Sequence, residues 1–225
     1  MSGSVKKENA MGQDPTKIAV QYDTIAKEYM DRFIGEHEKK PMDQEVLRRF
    51  AQALEGRQPV WDLGCGPGQT TAYLNDLGVR IAGLDVSSKL LNLAKAHHPA
   101  LQFKQGNILD LDFESNSIAG IVAFYAIVHF SKEDVGRALD EIFRVLQPDG
   151  LFLLAWHIGD DAIHLDEFLG QAVDLDFTFF RAEFICQCLK SGGFTRIEVI
   201  ERDPYPDVEY PSRRAYAFAR KPIKG

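Results

Sequence analysis

The sequence has few cysteines and no apolar run long enough to cross a membrane. Its 225 residues include three cysteines, Cys65, Cys186 and Cys188, whose odd number and spacing do not suggest a disulfide framework. We therefore expect a reducing, cytoplasmic location. No apolar stretch reaches the ~18 residues of a spanning helix, and residues 1–15 lack the apolar segment of a secretory signal. The sequence predicts neither secretion nor a membrane partner.

Positive charge is also scarce. The chain has 26 Lys and Arg against 33 Asp and Glu, a formal net charge of −7. Its densest basic spots are the pairs Arg48-Arg49 and Arg213-Arg214. An acidic surface without a basic stripe repels phosphate backbones, so we expect no nucleic-acid partner. For Arg213 and Arg214 we favour a solvated surface pair, and the alternative is that one of them binds a substrate carboxylate.

Metal-ligand patterns are weak. On the helix expected around residue 186, Cys186 and Cys188 would point about 200° apart and could not share an ion. The segment 156–180 contains His157, His164 and several acids, but no pair has a firm ligand spacing. The sequence therefore predicts no metal site.

Short apolar runs alternate with helical patterns between residues 57 and 157. This alternation predicts a doubly wound parallel sheet with helices on both faces. The run 117–126 is almost continuously apolar, as in a strand buried on both faces. After a helix at about 181–191, two strand patterns, 195–203 and 213–221, follow without a helix between them. They predict a hairpin, so one of its strands must run against the parallel set.

Three glycines in five residues follow the first strand pattern, in PVWDLGCGPG (59–68). Glycine at a strand–helix junction permits positive φ and lets a ligand approach the bare backbone. The order Gly64, Gly66, Gly68 differs from a dinucleotide fingerprint, because Gln69 stands where the last glycine would be. The pattern predicts a ligand loop that is not an NAD site.

Asp85 ends the next predicted strand, beside this loop. A carboxylate there can accept hydrogen bonds from both hydroxyls of a ribose. The alternative is a surface acid at a strand end. We predict a ligand that contains a ribose and does not need a pyrophosphate.

Four stretches in order, VWDLGCGPGQT, GLDVS, GNILDLDF and LQPDGLFLLAW, resemble the motifs of class I S-adenosylmethionine-dependent methyltransferases of the small-molecule type. The resemblance covers about residues 16–156. It implies a Rossmann-like, seven-stranded, mostly parallel sheet with an antiparallel last strand. It also implies S-adenosylmethionine as cofactor, S-adenosylhomocysteine as product, and methyl transfer to an O, N or C nucleophile of a small molecule.

The resemblance also implies which residues contact the cofactor. Asp62 and the loop Gly64, Cys65, Gly66 and Gly68 would flank its methionine part. Asp85 would hold the ribose, and Tyr22 or Tyr29 of an N-terminal lid helix would close over the bound cofactor. The adenine and its surroundings would be contacted by Val86, Asn107, Ile108 and Phe124.

His129 is the leading candidate for a catalytic group, and Tyr125 is the next. Both follow the fourth predicted strand, at the sheet edge where open α/β sheets bind ligands. A histidine of ordinary pKa suits proton transfer near neutrality. The alternative is a structural histidine, because methyl transfer needs a base only when the nucleophile must lose a proton.

We predict one domain, a monomer or homodimer, after a flexible leader of residues 1–15. A nucleotide-linked oxidoreductase and a non-catalytic cofactor-binding scaffold are the competing functions. For residues 158–180 we favour a helical lid with aromatic packing. The predicted parts of the domain 16–225 are lid helices at 16–56, a cofactor-binding core at 57–157, a substrate-covering insertion at 158–180, and a C-terminal helix and hairpin at 181–225.

Overall fold

A computed structural model of the chain describes the backbone of residues 4–6 and all of residues 12–223. Its helices are α1 Pro15–Thr24, α2 Ala26–Phe33, α3 Pro41–Ala53, α4 Gln69–Asp76, α5 Ser88–His97, α6 Lys132–Val145 and α7 Ala182–Ser191, with a short 3₁₀ helix at Glu36–Lys39. Its strands are β1 Ser4–Lys6, β2 Val60–Leu63, β3 Ile81–Asp85, β4 Gln102–Gln105, β5 Ile118–Phe124, β6 Leu146–His157, β7 Ala162–Phe168, β8 Gln171–Thr178, β9 Thr195–Arg202 and β10 Arg214–Arg220.

Seven strands form the main sheet in the order β4-β3-β2-β5-β6-β10-β9. The pairs β2–β3, β2–β5, β3–β4 and β5–β6 are parallel. Strand β10 is antiparallel to both of its neighbours, β6 and β9. The prediction of a doubly wound, mostly parallel sheet with an antiparallel last strand is therefore confirmed.

The two faces of the sheet pack against different helices. Side chains that alternate along β5 and β6 divide between two buried clusters. One cluster joins Ile121 and Phe152 to α6 and α7. The other joins Val122 and Leu153 to α3 and α4. Because β5 is covered on both sides, all seven of its residues are buried, as the apolar run predicts.

Helix α6 begins as its sequence predicts. The Ser131 hydroxyl accepts a hydrogen bond from the Asp134 N–H, and the Asp134 carboxylate accepts one from the Ser131 N–H. This reciprocal capping box fixes the start of the helix. The capping box also fixes where the helix follows the segment that runs from Tyr125 to His129.

The predicted helical lid in residues 158–180 is wrong. The segment forms an antiparallel hairpin, β7–β8, and β1 adds to its edge in a separate three-stranded sheet. Leu165, Val173 and Leu175 are buried at alternating positions, and Leu169 and Gly170 turn the chain with φ of 55° and 80°. Two consecutive positive φ values are what a two-residue hairpin turn requires. The aromatic residues of the segment do not distinguish the two structures, because they pack equally well on a helical lid and on a hairpin.

The N-terminal helical pattern also differs in detail from the prediction. It is interrupted at Ile25, which ends α1 and precedes α2. Within the predicted leader, residues 1–3 and 7–11 lie outside the described residues. None of the described helices combines the length and apolar character that a bilayer crossing demands.

Candidate functional site

A cavity of about 650 Å³ lies at the carboxyl ends of β2, β3, β5 and β6. Open α/β sheets bind ligands at this edge. Side chains from α1 and α2 and from the hairpin β7–β8 cover the opening, and Tyr22, Tyr29, Phe168 and Phe177 contribute aromatic rings to this cover. The result is an enclosed site with one wall of bare backbone and one wall of aromatic rings.

The glycines of the loop serve different purposes. Gly64 and Gly66 line the cavity with φ of 73° and 53°. A Cβ on Gly64 would lie 2.5 Å from the Cβ of Ala126, so neighbouring protein alone requires a glycine there. A Cβ on Gly66 would come no closer than 3.7 Å to Tyr29, so space at this position opens toward the cavity. Gly68 instead packs on Phe103.

Asp85 is held rigidly at the end of β3. Its Oδ2 accepts a hydrogen bond of 2.8 Å from the N–H of Gly66, and its Oδ1 accepts one of 2.8 Å from the N–H of Ser87. The side chain lines the cavity, and burial raises the pKa of its carboxyl group. Each oxygen keeps lone pairs for further donors. This arrangement fits a ligand with two adjacent hydroxyl groups.

Three apolar side chains and one amide line the cavity at positions where the sequence predicts cofactor contacts. Val86, Asn107, Ile108 and Phe124 all line the cavity. The Asn107 Oδ1 accepts a hydrogen bond of 2.9 Å from the N–H of Leu109, which orients the amide. A flat ring with polar edges fits between these side chains.

Three of the predicted contact residues do not line the cavity: Asp62, Cys65 and Gly68. Asp62 is 1% exposed and accepts a hydrogen bond of 2.6 Å from the Thr71 hydroxyl. Burial raises the pKa of Asp62 to about 7. Cys65 packs among the apolar residues that contact α5. Their positions indicate that these three residues stabilise the glycine loop from the side that faces away from the cavity.

Tyr22 and His129 form a hydrogen-bonded pair inside the cavity. A carbonyl oxygen can only accept, so the His129 Nδ1–H donates to the carbonyl of Asp176 at 2.7 Å. The Nε2 of His129 therefore accepts from the Tyr22 hydroxyl at 2.9 Å. Burial lowers the pKa of His129 to about 4, so the ring is neutral near pH 7. The rings of Tyr22 and Tyr29 are in edge contact at 5.3 Å.

Tyr125 lies in the left-handed backbone region, with φ of 58°. Aromatic residues rarely adopt this conformation, and such strained positions cluster at functional sites. The side chain lines the cavity, and its hydroxyl lies 3.3 Å from that of Tyr216. The strain therefore coincides with a cavity-facing aromatic group directly beyond β5.

Buried charges that extend from beside the glycine loop to Arg214 were missed from the sequence. We call these six side chains the ion cluster: Glu36, Lys40, Asp43, Arg202, Glu209 and Arg214. Arg202 donates to Asp43 at 2.9 Å and to both oxygens of Glu209. The cluster has three cations and three anions in mutual contact, and none of its side chains is more than 14% exposed. Burial is tolerable because each charge is paired.

The surface interpretation of the Arg213-Arg214 pair is wrong for Arg214. Arg214 is 2% exposed and lines the cavity. Its guanidinium donates to the carbonyl of Ser212 and, at 3.0 Å, to the carbonyl of Tyr210. Arg213 is 54% exposed and pairs with Glu201 at 3.0 Å. The two side chains of consecutive residues in a strand point to opposite faces, which separates the pair.

Opposite charges also lie next to the glycine loop. The Gln69 Nε2 donates to Glu36 at 3.1 Å, and Lys40 pairs with the other oxygen of Glu36. All three residues line the cavity. The ion cluster thus reaches the glycine loop through Glu36. Within residues 12–223, no three His, Cys, Asp or Glu side chains converge as metal ligands.

Comparison with known proteins gives consistent results. A family model for a methyltransferase domain matches residues 61–154. The chain is 32% identical over 110 residues to a probable S-adenosylmethionine-dependent methyltransferase of Mycolicibacterium smegmatis, covering 49% of this chain and 42% of that protein. It is 28% identical over 165 residues to a malonyl-[acyl-carrier protein] O-methyltransferase of Enterobacter lignolyticus, covering 64% of this chain and 65% of that protein.

A solved structure with a similar fold is that of the [4+2]-cyclase SpnF. It has a TM-score of 0.74 and 15% identity, and the match covers 97% of this chain and 100% of that one. At this identity the likeness concerns the fold alone. The chain thus spans about two fifths to two thirds of the two relatives' lengths.

Proposed function

We propose that the chain is a class I S-adenosylmethionine-dependent methyltransferase, which methylates an O, N or C nucleophile of a small molecule. The observation that carries the proposal is the pairing of Asp85 with the Gly66 N–H, which fixes a carboxylate at the edge of a glycine-lined cavity. A ribose-containing ligand would meet both features at once.

Several cavity residues fit the parts of this cofactor. Asp85 would bind the ribose hydroxyls, and Gly64 and Gly66 would lie along the chain that joins ribose to amino acid. S-adenosylmethionine supplies a methyl group that its sulfonium has already activated. The adenine would contact Val86, Asn107 and Ile108, and Phe124 would lie beneath the cofactor.

The protein's own contribution is then alignment and the exclusion of water. Tyr22 and Tyr29 lie on the helices that cover the cavity, and Phe168 and Phe177 come from the hairpin on the other side. The ring of Tyr29 contacts that of Phe168, and the ring of Phe168 contacts that of Phe177. A closed aromatic cover of this kind supports a reaction that is sensitive to hydrolysis.

His129 and Tyr125 remain our candidates for contact with the reacting molecule. In support of His129, its neutral ring presents a lone pair on Nε2. That lone pair already accepts from Tyr22, and a pKa of about 4 makes it a weak base, so its stronger role is to position Tyr22. Tyr125 lines the cavity, and its hydroxyl lies 3.3 Å from that of Tyr216.

A small-molecule substrate is favoured over a macromolecule because the cavity is enclosed by lids from two sides. The absence of a basic stripe also argues against nucleic acid. The competing functions are an oxidoreductase, which the glycine spacing disfavours, and a binding scaffold without turnover. The chain also resembles a cyclase in fold, and the fold alone does not determine which reaction a protein catalyses.

Titration calorimetry of the purified chain with S-adenosylmethionine, S-adenosylhomocysteine and NAD tests the cofactor. We expect heat from the first two and none from NAD; binding of NAD alone would overturn the proposal. Turnover is then followed as release of S-adenosylhomocysteine across a panel of small hydroxyl, amine and carbon nucleophiles. Cofactor binding without any release across the panel would favour the scaffold.

A further inference from the structure

His157 lies at the end of β6, in the part of the cavity away from Asp85. Its ring is stacked on Phe179, with centroids 5.2 Å apart and planes at 14°, and it contacts the Tyr125 ring at 5.2 Å. The Tyr210 ring contacts that of Phe179 in a tilted arrangement, with centroids 5.9 Å apart. We call His157, Tyr125, Phe179 and Tyr210 the acceptor wall. These flat groups favour a flat ligand.

The hydrogen bonds around His157 determine which ring nitrogen is protonated. A guanidinium only donates, so Arg214 donates to the Ser212 hydroxyl. The Ser212 hydroxyl can then give its own proton to the His157 Nδ1, which lies 2.8 Å away. Burial, together with the charges of Arg214, Lys40 and Arg202, lowers the pKa of His157 well below its usual value. With the Ser212 hydroxyl as donor to Nδ1, the neutral ring carries its proton on Nε2.

The Nε2–H of His157 is an unused donor. Within residues 12–223 it has no hydrogen-bond partner, and the residue lines the cavity. His129 has the opposite tautomer, because its Nδ1–H is held by a backbone carbonyl and its Nε2 accepts from Tyr22. The cavity thus contains one histidine that accepts and one that donates. Only the donating one is free for a ligand.

The ion cluster limits the charge of that ligand. Its three cations are all matched by carboxylates. Arg214 donates to the Ser212 hydroxyl and to the carbonyl of Tyr210, and it forms an ion pair with Glu209 at 3.4 Å. An anionic substrate would have to displace one of these partners or remain an uncompensated charge in a buried site. Both are costly. An uncharged substrate disturbs none of them.

We propose that the methyl acceptor is an uncharged, flat, ring-containing molecule with a carbonyl oxygen, which lies against the acceptor wall and accepts a hydrogen bond from the Nε2–H of His157. This substrate class rests on the proposed methyltransferase function. The competing class is a flat carboxylate held by Arg214, and the two make opposite predictions for matched compounds.

Binding of matched compounds to the chain saturated with S-adenosylhomocysteine separates the two classes. The probes are 4-hydroxyquinoline, 7-hydroxycoumarin and 1-hydroxy-2-acetonaphthone, each compared by calorimetry with a carboxylated partner: 4-hydroxyquinoline-2-carboxylate, 7-hydroxycoumarin-3-carboxylate and 1-hydroxy-2-naphthoate. We expect at least one uncharged probe to bind about tenfold or more tightly than its partner. Equal or tighter binding of the carboxylates, or no binding of any uncharged probe, would overturn the proposal.

Two variants connect that preference to the histidine. His157→Phe keeps a flat ring but loses the donor, so we expect about a tenfold loss of affinity for the preferred probe. His157→Gln retains an N–H near the position of Nε2 and should recover most of it. Unchanged binding in His157→Phe would contradict the proposal. Both variants should bind S-adenosylhomocysteine like the parent chain; loss of that binding in the parent chain itself would instead count against the proposed function.

The tautomer is accessible without any substrate. Long-range ¹⁵N–¹H correlation spectra of the ¹⁵N-labelled chain distinguish a proton on Nε2 from one on Nδ1. We expect Nε2–H for His157 and Nδ1–H for His129, assigned with the variants His157→Gln and His129→Gln. A proton on Nδ1 of His157 would remove the donor on which the substrate class depends.

Discussion

At the glycine-loop end of the cavity a single carboxylate, that of Asp85, accepts from two backbone N–H groups. In the ion cluster, by contrast, six ionised side chains are paired with one another, and the cluster reaches the glycine loop through the hydrogen bond of Gln69 to Glu36. The glycine-loop end is built from neighbouring turns of two adjacent strands, and its polar groups remain open to a ligand. The ion cluster is built from segments that are distant in the sequence, and its charges are already paired with one another. The difference indicates that the cavity binds a ligand through charge at Asp85, and through shape and the neutral donor of His157 at the acceptor wall.

The largest expected effect tests whether the ion cluster is structural. Replacing Arg202 by Met leaves Asp43 and Glu209 without their main cation in a buried place. Removal of one partner from a buried ion pair costs about 3–5 kcal/mol. We expect a loss of that size in the free energy of unfolding, measured by urea denaturation.

The matched control is Arg48→Met on α3, where the arginine is 41% exposed and pairs with an exposed Glu45. Exposed pairs contribute about 1 kcal/mol or less. Similar losses in the two variants would show that the cluster is no more important for folding than a surface pair. The contrast between the glycine-loop end and the ion cluster would then disappear.

The next effect tests the open carboxylate. In Asp85→Ala the ribose would lose its acceptor, and the Gly66 N–H would lose the group that orients the loop. Hydrogen bonds to a charged group contribute about 1.5–3 kcal/mol each, so affinity for S-adenosylhomocysteine should fall by roughly 100-fold or more. Calorimetry measures it. Asp112→Ala, at a carboxylate that is 93% exposed, should leave the affinity unchanged.

A smaller effect concerns the acid behind the loop. Because the pKa of Asp62 is about 7 in the folded chain and about 3.8 when unfolded, the folded state binds more protons between these values. The carboxyl therefore lowers stability progressively as the pH rises through that window. Asp62→Asn removes this cost and can still accept from Thr71.

Relative to the parent chain, Asp62→Asn should gain about 2 kcal/mol of unfolding free energy between about pH 5.5 and 7.5, at roughly 1.4 kcal/mol per unit of pKa shift. Denaturation of both chains at several pH values measures the difference. A stability difference that does not change with pH would mean that Asp62 is ionised throughout, as an exposed carboxylate would be.

The glycine-loop end is the part of the cavity that the sequence predicts well. The glycine loop and Asp85 are short-range features, since each follows a strand pattern and parallel strands bring their carboxyl ends together. The sheet itself follows from apolar periodicity. The cavity position of Asp85 can thus be predicted from the order of strand patterns alone.

The ion cluster could not be predicted in this way. Arg202 and Asp43 are 159 positions apart, and each of them alone has the pattern of a solvated surface charge. Only the pairing of β10 with β6 brings Arg214 over the cavity. The hairpin of residues 162–178 escapes prediction for a different reason, because exposed acids interrupt its alternation and Leu169-Gly170 is a weak turn signal.

The smallest expected effect separates the two tyrosines of the cover, which are equivalent candidates by sequence. Tyr22→Phe removes the hydrogen bond to His129, whereas the Tyr29 hydroxyl has no partner among residues 12–223 and its ring packs on Phe33 at 4.5 Å. One neutral hydrogen bond contributes about 0.5–1.5 kcal/mol, so Tyr22→Phe should weaken S-adenosylhomocysteine binding roughly two- to tenfold. Tyr29→Phe should leave it unchanged. The reverse order in calorimetry would make Tyr29 the residue that contacts the cofactor, and would reduce His129 to a packing role.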